Sequence, residues 1–447
     1  MRRIAEYLIL TAGLLAPNCK SQSLADQMNF RTGDQDGAHL YGVAAFSGYS
    51  TSAFPVGQSI QPGVSSIGGD ANYGASASMG WQRHRDWMNL SVVYSPSYTG
   101  QVHYSNLNSL NHTLVLTATR KMGRKWTASL SGSGQDMSVT QFLFNPTSFA
   151  VRSQAPLSFD DLAAAFSAGQ FTSSQVASML TGAYPPASPT QSLLYGYRTL
   201  AYSAQASLVY AYSPRLSFQV SSFASGSQPL NNGGQSPGVY LVNHTVGANG
   251  GVMMSYSLSP RTQVGLDLSE SWQMNHYQGA LITTARGSIG RKMGEHWFAT
   301  VNGGFFNTRP TKTGPTLPDY GTIGGGSLGF KTYQHTLTAS YGRSSTDSYG
   351  LIGTSTTIGS SWLWHHPGSD WSLTAGYYEE QTRNTGFASL SGWEAAGGVT
   401  RRLNDRSTLA AQYAFLNASS IYSGILTKLS VHSVRLTVGW SPQANLR

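Results

Sequence analysis

The chain has 447 residues, of which only 11% are charged, and its mean hydropathy is −0.22. A soluble globular protein carries about twice that charged fraction, so an ordinary water-soluble surface is excluded. No apolar run of about 18 residues or more follows the N-terminus, which excludes a helical membrane protein. Alternating strand-length segments and 11% aromatic residues argue against disorder.

The N-terminus has the pattern of a secretory signal peptide. Residues 1–17 combine a basic start with a short apolar core, and residues 23–25 offer a small-x-small cleavage site. We expect residues 1–25 to be removed, taking with them the only cysteine, Cys19. A lipoprotein reading of Cys19 is the alternative, although the preceding Asn18 is not the small residue that such sites prefer. Loss of Cys19 would leave a mature chain that forms no disulfide.

Residues 112–134 predict the hairpin from which the rest of the chain is built. Leu114 and Leu116 alternate with Thr113 and Thr117, a period of two that gives one apolar and one hydroxyl-bearing face. A basic turn around Gly123 follows, and a second alternating strand comes after it. We expect Leu116 to face outward and Thr117 to face a lumen.

The apolar faces of the predicted strands carry Ala, Leu and single aromatic residues rather than the bulky side chains that fill a soluble β-sandwich. The opposite faces carry Ser, Thr, Gly, Gln and Asn with few charges. A transmembrane barrel has this profile, because its outer face meets lipid and its lumen is wet.

Short basic or Pro-containing turns recur about eight times and mark one end of the barrel. They lie at residues 83–86, 120–125, 213–215, 259–261, 291–295, 331–334, 365–370 and 401–406. Two strands and a longer polar loop are expected between successive turns. With both termini at the same end, the sequence predicts an all-β, antiparallel, up-and-down transmembrane barrel over residues 37–440, with about 18 strands and 16 as the alternative.

Aromatic residues cluster beside these turns, as in a girdle at a membrane interface. The tryptophans predicted to form the girdle are Trp87, Trp126, Trp297, Trp364, Trp371 and Trp440.

Residues 137–197 form by far the longest predicted loop. Residues 158–166 have the features of an N-capped helix with acidic residues in its first turn, and residues 173–180 predict a second short helix. Such a loop either constricts the lumen or caps the barrel at the cell surface, and the sequence leaves both open.

The last predicted strand alternates Val434, Leu436, Val438 and Trp440 with polar residues. It resembles the terminal strand of bacterial outer-membrane barrels, which the barrel-insertion machinery reads. The tail 441–447 departs from that pattern, because such barrels end at the aromatic residue. The resemblance implies the outer membrane of a Gram-negative bacterium, with its lipid bilayer and the insertion machinery as partners.

No spacing of His or Cys suggests a metal site, and no glycine-rich loop suggests a phosphate or a cofactor. Some outer-membrane barrels are enzymes with acid, His and Ser groups at their outer rim. Glu270, His276, Asp347 and Glu379 are the candidates for such a set, but their spacing does not distinguish them from solvated loop residues. We therefore expect no catalytic residues.

The formal net charge of +9 comes mostly from the signal peptide and the short turns, where basic residues suit a phospholipid surface. Nucleic acid is not an expected partner. Strand parity assigns five charged residues to the lumen and predicts a weakly basic pore: Arg198, Arg286, Arg435, Asp267 and Glu394.

These features predict a porin-like passive channel for small polar solutes with a weak anion preference. Two alternatives stay open. An exopolysaccharide export barrel would have a similar size and often a basic lumen, and a non-transporting surface barrel would bind a partner with its loops.

Overall fold

The computed structural model places most of the predicted strands and few of the long connections. It describes residues 36–51, 69–103, 105, 108–138, 198–230, 244–275, 279–312, 319–348, 351–365, 370–383, 388–404, 406–422 and 425–440. The predicted helices at 158–166 and 173–180, the signal peptide and the tail 441–447 lie outside these residues. Among the described residues, no helix has the length and apolarity needed to span a bilayer.

Eighteen antiparallel strands form one sheet that closes on itself, which confirms the predicted fold and strand number. Closure is made by β1 and β18, whose register runs from Val43 opposite Trp440 to Ser50 opposite Ser433. The strands are β1 Gly37–Ser50, β2 Asp70–Arg85, β3 Met88–Gln101, β4 Ser109–Met122, β5 Trp126–Ser138, β6 Arg198–Ala211, β7 Leu216–Pro229, β8 Thr245–Ser259, β9 Thr262–Asn275, β10 Gly279–Met293, β11 Trp297–Pro310, β12 Asp319–Lys331, β13 His335–Ser348, β14 Leu351–His365, β15 Trp371–Arg383, β16 Ala388–Arg402, β17 Ser407–Tyr422 and β18 Ile425–Trp440.

All eight predicted short turns join consecutive strands at one end of the barrel. Gly123 and Gly294 have a φ of 71° in the β4–β5 and β10–β11 turns, a conformation that side-chain-bearing residues rarely adopt. β1 begins and β18 ends at this same end, as predicted.

The prediction of a longer loop at the opposite end of every hairpin is wrong for four of the connections. Only residues 276–278, 349–350, 384–387 and 423–424 separate the strands there. The polar, Gly- and Ser-rich segments that suggest loops continue as strands, because the ladder satisfies their backbone groups whatever the side chains. The connections of more than about ten residues are those of β1–β2, β5–β6 and β7–β8.

The side chains alternate between an apolar outer face and a polar lumen. On β9, Leu266 and Leu268 are 56% and 63% exposed, whereas Asp267 between them is buried on the lumenal side. The hairpin predicted at residues 112–134 has the expected facing, with Leu116 exposed outward and Thr117 in the lumen. Val115, which breaks the polar pattern in the sequence, is buried at the lumenal face. The outer face thus presents a belt that lipid, and not water, would cover.

The height of this belt can be read from the first acidic or arginine side chain on the outer face of three strands. Glu270, Arg343 and Glu379 each lie eight positions from the first residue of β9, β13 and β15, respectively. Eight residues span about 26 Å of strand, or about 20 Å of height at a tilt of about 40°. This is comparable with the apolar band of about 25 Å in transmembrane barrels.

A second group of aromatic side chains, which the sequence analysis missed, lies just inside the edge of the belt that is farther from the short turns. Tyr94, Tyr341, Tyr377 and Tyr413 are each six positions from the start of β3, β13, β15 and β17 and lie on the outer face. The hydroxyl of Tyr94 lies 2.7 Å from Nδ1 of His112, and that of Tyr377 donates to Glu379 at 2.7 Å. Each ring therefore has an apolar body in the belt and a polar end at its boundary.

Candidate solute path

Pairs of hydroxyl groups on neighbouring strands line the lumenal face. Because the side-chain period is two and the register is regular, lumenal Ser and Thr residues fall directly opposite one another. The pairs in hydrogen-bond contact include Ser91 with Thr117, Ser95 with Ser78, Ser129 with Ser207, Ser133 with Ser203, Ser227 with Thr245, Thr300 with Ser327, Thr338 with Ser361 and Ser355 with Thr382. Each pair leaves hydroxyl lone pairs that can accept a further hydrogen bond from a solute or water.

Two of the predicted pore-lining residues form an ion pair. Arg286 on β10 lies directly opposite Asp267 on β9, and its Nη2 donates to Oδ2 at 2.9 Å. The Asp267 side chain is 8% exposed and the Arg286 side chain 37%. The arginine therefore presents part of its guanidinium to the lumen, with much of its charge offset by the carboxylate behind it.

Arg435 lies on the lumenal face of β18 and stacks on an aromatic ring. Its guanidinium carbon is 3.7 Å from the ring centroid of Phe46 on β1. Gly74, opposite Phe46 on β2, makes room for the ring, because a Cβ there would overlap the ring edge. This cation–π contact orients the arginine at the seam where the barrel closes.

An acidic pair occupies the lumenal face of β15 and β16. Glu394, a predicted pore residue, is 7% exposed, and Glu380 on the adjacent strand is 6% exposed. Glu380 accepts hydrogen bonds from Ser355 at 3.2 Å and Thr382 at 3.4 Å. Its register partner Gly392 is two positions from Glu394, so the two carboxylates are diagonal neighbours.

The sequence analysis missed Glu380, although a usable signal exists. Trp371, Leu373 and Ala375 assign odd positions of β15 to the outer face. The tandem Glu379-Glu380 therefore sends one carboxylate outward and the other inward. The lumenal Asp70, whose Oδ1 lies 2.9 Å from Nδ1 of His103 in hydrogen-bond contact, was missed as well.

The remaining predicted residues are placed as follows. Arg198 is the first residue of β6, opposite Ser138, and its side chain lies outside the described part of the chain. Glu270 and Glu379, candidates for a catalytic set, lie on the outer faces of β9 and β15 and are not brought together. The other two candidates are not described: His276 falls between β9 and β10, and only the backbone of Asp347 is placed.

The six predicted girdle tryptophans all lie at the short-turn end. Trp87 is in the β2–β3 turn, while the others begin, end or nearly end a strand. Cation–π and ring contacts hold several of them. They pair Arg120 with Trp87 at 5.2 Å, Arg401 with Trp371 at 5.0 Å, Trp126 with Tyr210 at 4.5 Å and Trp297 with Phe330 at 4.6 Å.

Nothing in the described strands gathers three His, Cys, Asp or Glu side chains as metal ligands. The closed wall, the apolar belt and the hydroxyl-lined lumen define the protein as a transmembrane β-barrel.

No family model matches the sequence, and no curated protein matches it. Solved structures with a similar fold include OccAB4 of Acinetobacter baumannii, at 9% identity and a TM-score of 0.44, covering 91% of this chain and 99% of that one. OpdK of Pseudomonas aeruginosa, solved with vanillate, has 10% identity and a TM-score of 0.44 and covers 90% and 98% of the two chains. OccK9 (OpdG) of the same organism has 12% identity, a TM-score of 0.45 and the same coverage. Likenesses this distant do not identify what this chain transports.

Proposed function

We propose that the protein is a porin-like passive channel for small polar solutes in the outer membrane of a Gram-negative bacterium. The observation that carries this proposal is the series of lumenal hydroxyl pairs inside a closed wall whose outer face is apolar. Hydroxyl groups exchange hydrogen bonds with hydrated solutes at little cost, because they replace water both as donors and as acceptors.

The lumenal charges support a weakly selective path rather than a strongly basic one. Asp267 offsets Arg286, and Glu380 with Glu394 adds negative charge on the side of β15 and β16. Among the lumenal side chains named above, carboxylates outnumber guanidinium groups: Asp70, Asp267, Glu380 and Glu394 against Arg286 and Arg435. Such a lumen does not favour the export-barrel alternative, for which a basic lumen is expected. Arg435 supplies the positive charge that would favour small anions.

The location is tested by fractionation. The mature chain is expected in the outer-membrane fraction and, because the closed ladder resists detergent, to migrate faster on gels before heating than after. Recovery of the protein as a soluble periplasmic species would contradict both the location and the channel.

Selectivity is tested by reversal potentials in planar bilayers. We expect single-channel conductance with a modest ion preference at low salt that fades as salt screens the lumenal charges. Arg435→Ser should shift the preference toward cations, and Glu380→Gln or Glu394→Gln should shift it toward anions. Arg124→Ser, in the exposed β4–β5 turn, is the matched control and should change little. Selectivity that does not respond to Arg435→Ser, or the absence of conductance, would contradict the proposal.

A further inference from the structure

Two arginines stand on the outer face of the barrel just above the apolar belt. Arg343 on β13 and Arg383 on β15 are both exposed. Within the described residues, neither guanidinium has a hydrogen-bond, ion-pair or ring partner. Unpaired charges on a surface that faces lipid are costly unless a headgroup meets them.

The sheet register brings the two arginines over one patch. Arg343 lies opposite Thr356 on β14, and Arg383 lies opposite Thr354 two positions away on the same face. The two Cα atoms are therefore about 10 Å apart across the strands and about 7 Å apart along them. Two long side chains at this separation can converge on one ligand above the hydroxyls of Thr354 and Thr356.

Among the side chains that the structure describes, one carboxylate lies in the same patch. Glu379 accepts hydrogen bonds from Tyr377 at 2.7 Å and from Gln381 at 2.9 Å. These two donors, and not the arginines, satisfy it in this structure. The patch therefore keeps two cationic groups available to an anion.

An apolar hollow of about 480 Å³ lies on the outer face between the arginines and the girdle side chains Trp297 and Phe330 at the short-turn end. Small residues of β13 to β16 form its floor, among them Ala339, Ser360 and Ala375. Larger side chains form its sides, among them Leu337, Trp362 and Tyr377. Tyr377 and Tyr341 lie between this hollow and the level of Arg343 on the outer face. The hollow and the arginines thus form one amphipathic site, apolar inside the belt and cationic at its upper edge.

We propose that this site binds a phosphate-bearing glycolipid of the outer leaflet, with its phosphate on Arg343 and Arg383 and an acyl chain against the hollow. The proposal rests on the outer-membrane location proposed above. Arginine suits this role because its planar guanidinium binds phosphate through two parallel hydrogen bonds. The height agrees, since Arg343 and Arg383 lie beyond the outer-face tyrosines Tyr341 and Tyr377 on their strands, where a headgroup would begin.

Native mass spectrometry of the full-length mature barrel in detergent tests the site with bis-phosphorylated lipid A as the probe. We expect saturable binding, weakened on the order of tenfold or more in Arg343→Ser/Arg383→Ser. Arg309→Ser is the matched control, because Arg309 is an exposed outer-face arginine on β11, away from the hollow. Ala375→Leu, which narrows the hollow, should weaken lipid A binding while the barrel keeps its heat-modifiable migration.

Equal binding by the double variant and the wild type would overturn the site. Inorganic phosphate that competes as well as lipid A would show a phosphate site without a lipid. Equal binding of dephosphorylated lipid A, or of phosphatidylglycerol, would overturn the phosphate-bearing glycolipid as occupant. Conductance measured on the same preparations separates the two proposals. Absence of lipid A binding to a wild-type barrel that conducts contradicts this site alone. Absence of conductance in a barrel that binds lipid A contradicts the channel alone.

Discussion

Leu116→Arg is expected to lower the free energy of unfolding of the barrel by about 2–4 kcal/mol, the cost of an arginine on the lipid face near the midplane of a transmembrane barrel. Leu116 is 46% exposed on the outer face of β4. It lies opposite Val92, four positions from the first residue of β3, and therefore near the middle of the eight-position apolar belt. The guanidinium would have to lie in hydrocarbon or thin the bilayer locally.

Thr117→Arg is the matched control, one position along the same strand. Its hydroxyl lies 2.7 Å from that of Ser91 on the lumenal face, so a charge there meets water and polar groups. We expect a loss of no more than about 1 kcal/mol, the typical contribution of one hydrogen bond. Urea unfolding of both variants in lipid vesicles, followed by tryptophan fluorescence, gives the comparison. Equal losses would show that the facing of β4 is wrong.

Gly304→Val should be the most disruptive change within the β10–β11 hairpin. A Cβ at Gly304 would overlap the carbonyl oxygen of Ala285 and lie 2.7 Å from the Cα of Arg286. Both contacts are to backbone, which cannot rotate away, so the two strands must separate locally. Overpacking typically costs about 1–3 kcal/mol, and we expect the upper end of that range. Arg286 would move with its strand, so its ion pair with Asp267 should weaken as well.

Gly303→Val provides the control for this prediction. A Cβ at Gly303, the adjacent residue, has no atom within 4 Å. The substitution should be near neutral or slightly stabilising, because it restricts the unfolded chain. Unfolding midpoints in the same vesicles would measure both variants. A Gly303 variant as unstable as the Gly304 variant would show that the close approach of the strands at Gly304 is not the cause.

The sequence by itself determined the features that depend on neighbours along the chain. A strand sends successive side chains to opposite faces, so alternation placed Leu116 outward and Arg435 inward without reference to any partner. Turn chemistry is also local, and Gly123 with its basic neighbours marked a turn that the structure contains. The strand number followed from counting those turns.

Only the tertiary structure decided which side chains meet. The partner of a residue on the neighbouring strand depends on strand register and barrel closure, and the alternation of apolar and polar residues determines neither. Register brings Arg286 onto Asp267, and closure brings Arg435 onto Phe46 from the other end of the chain. The same holds for Arg343 and Arg383, which lie 40 positions apart in the sequence but over one patch of β14. The polar ends of the strands, beyond the belt, were predicted as loops for a related reason. Their extended conformation depends on hydrogen bonds to neighbouring strands, which the local sequence does not show.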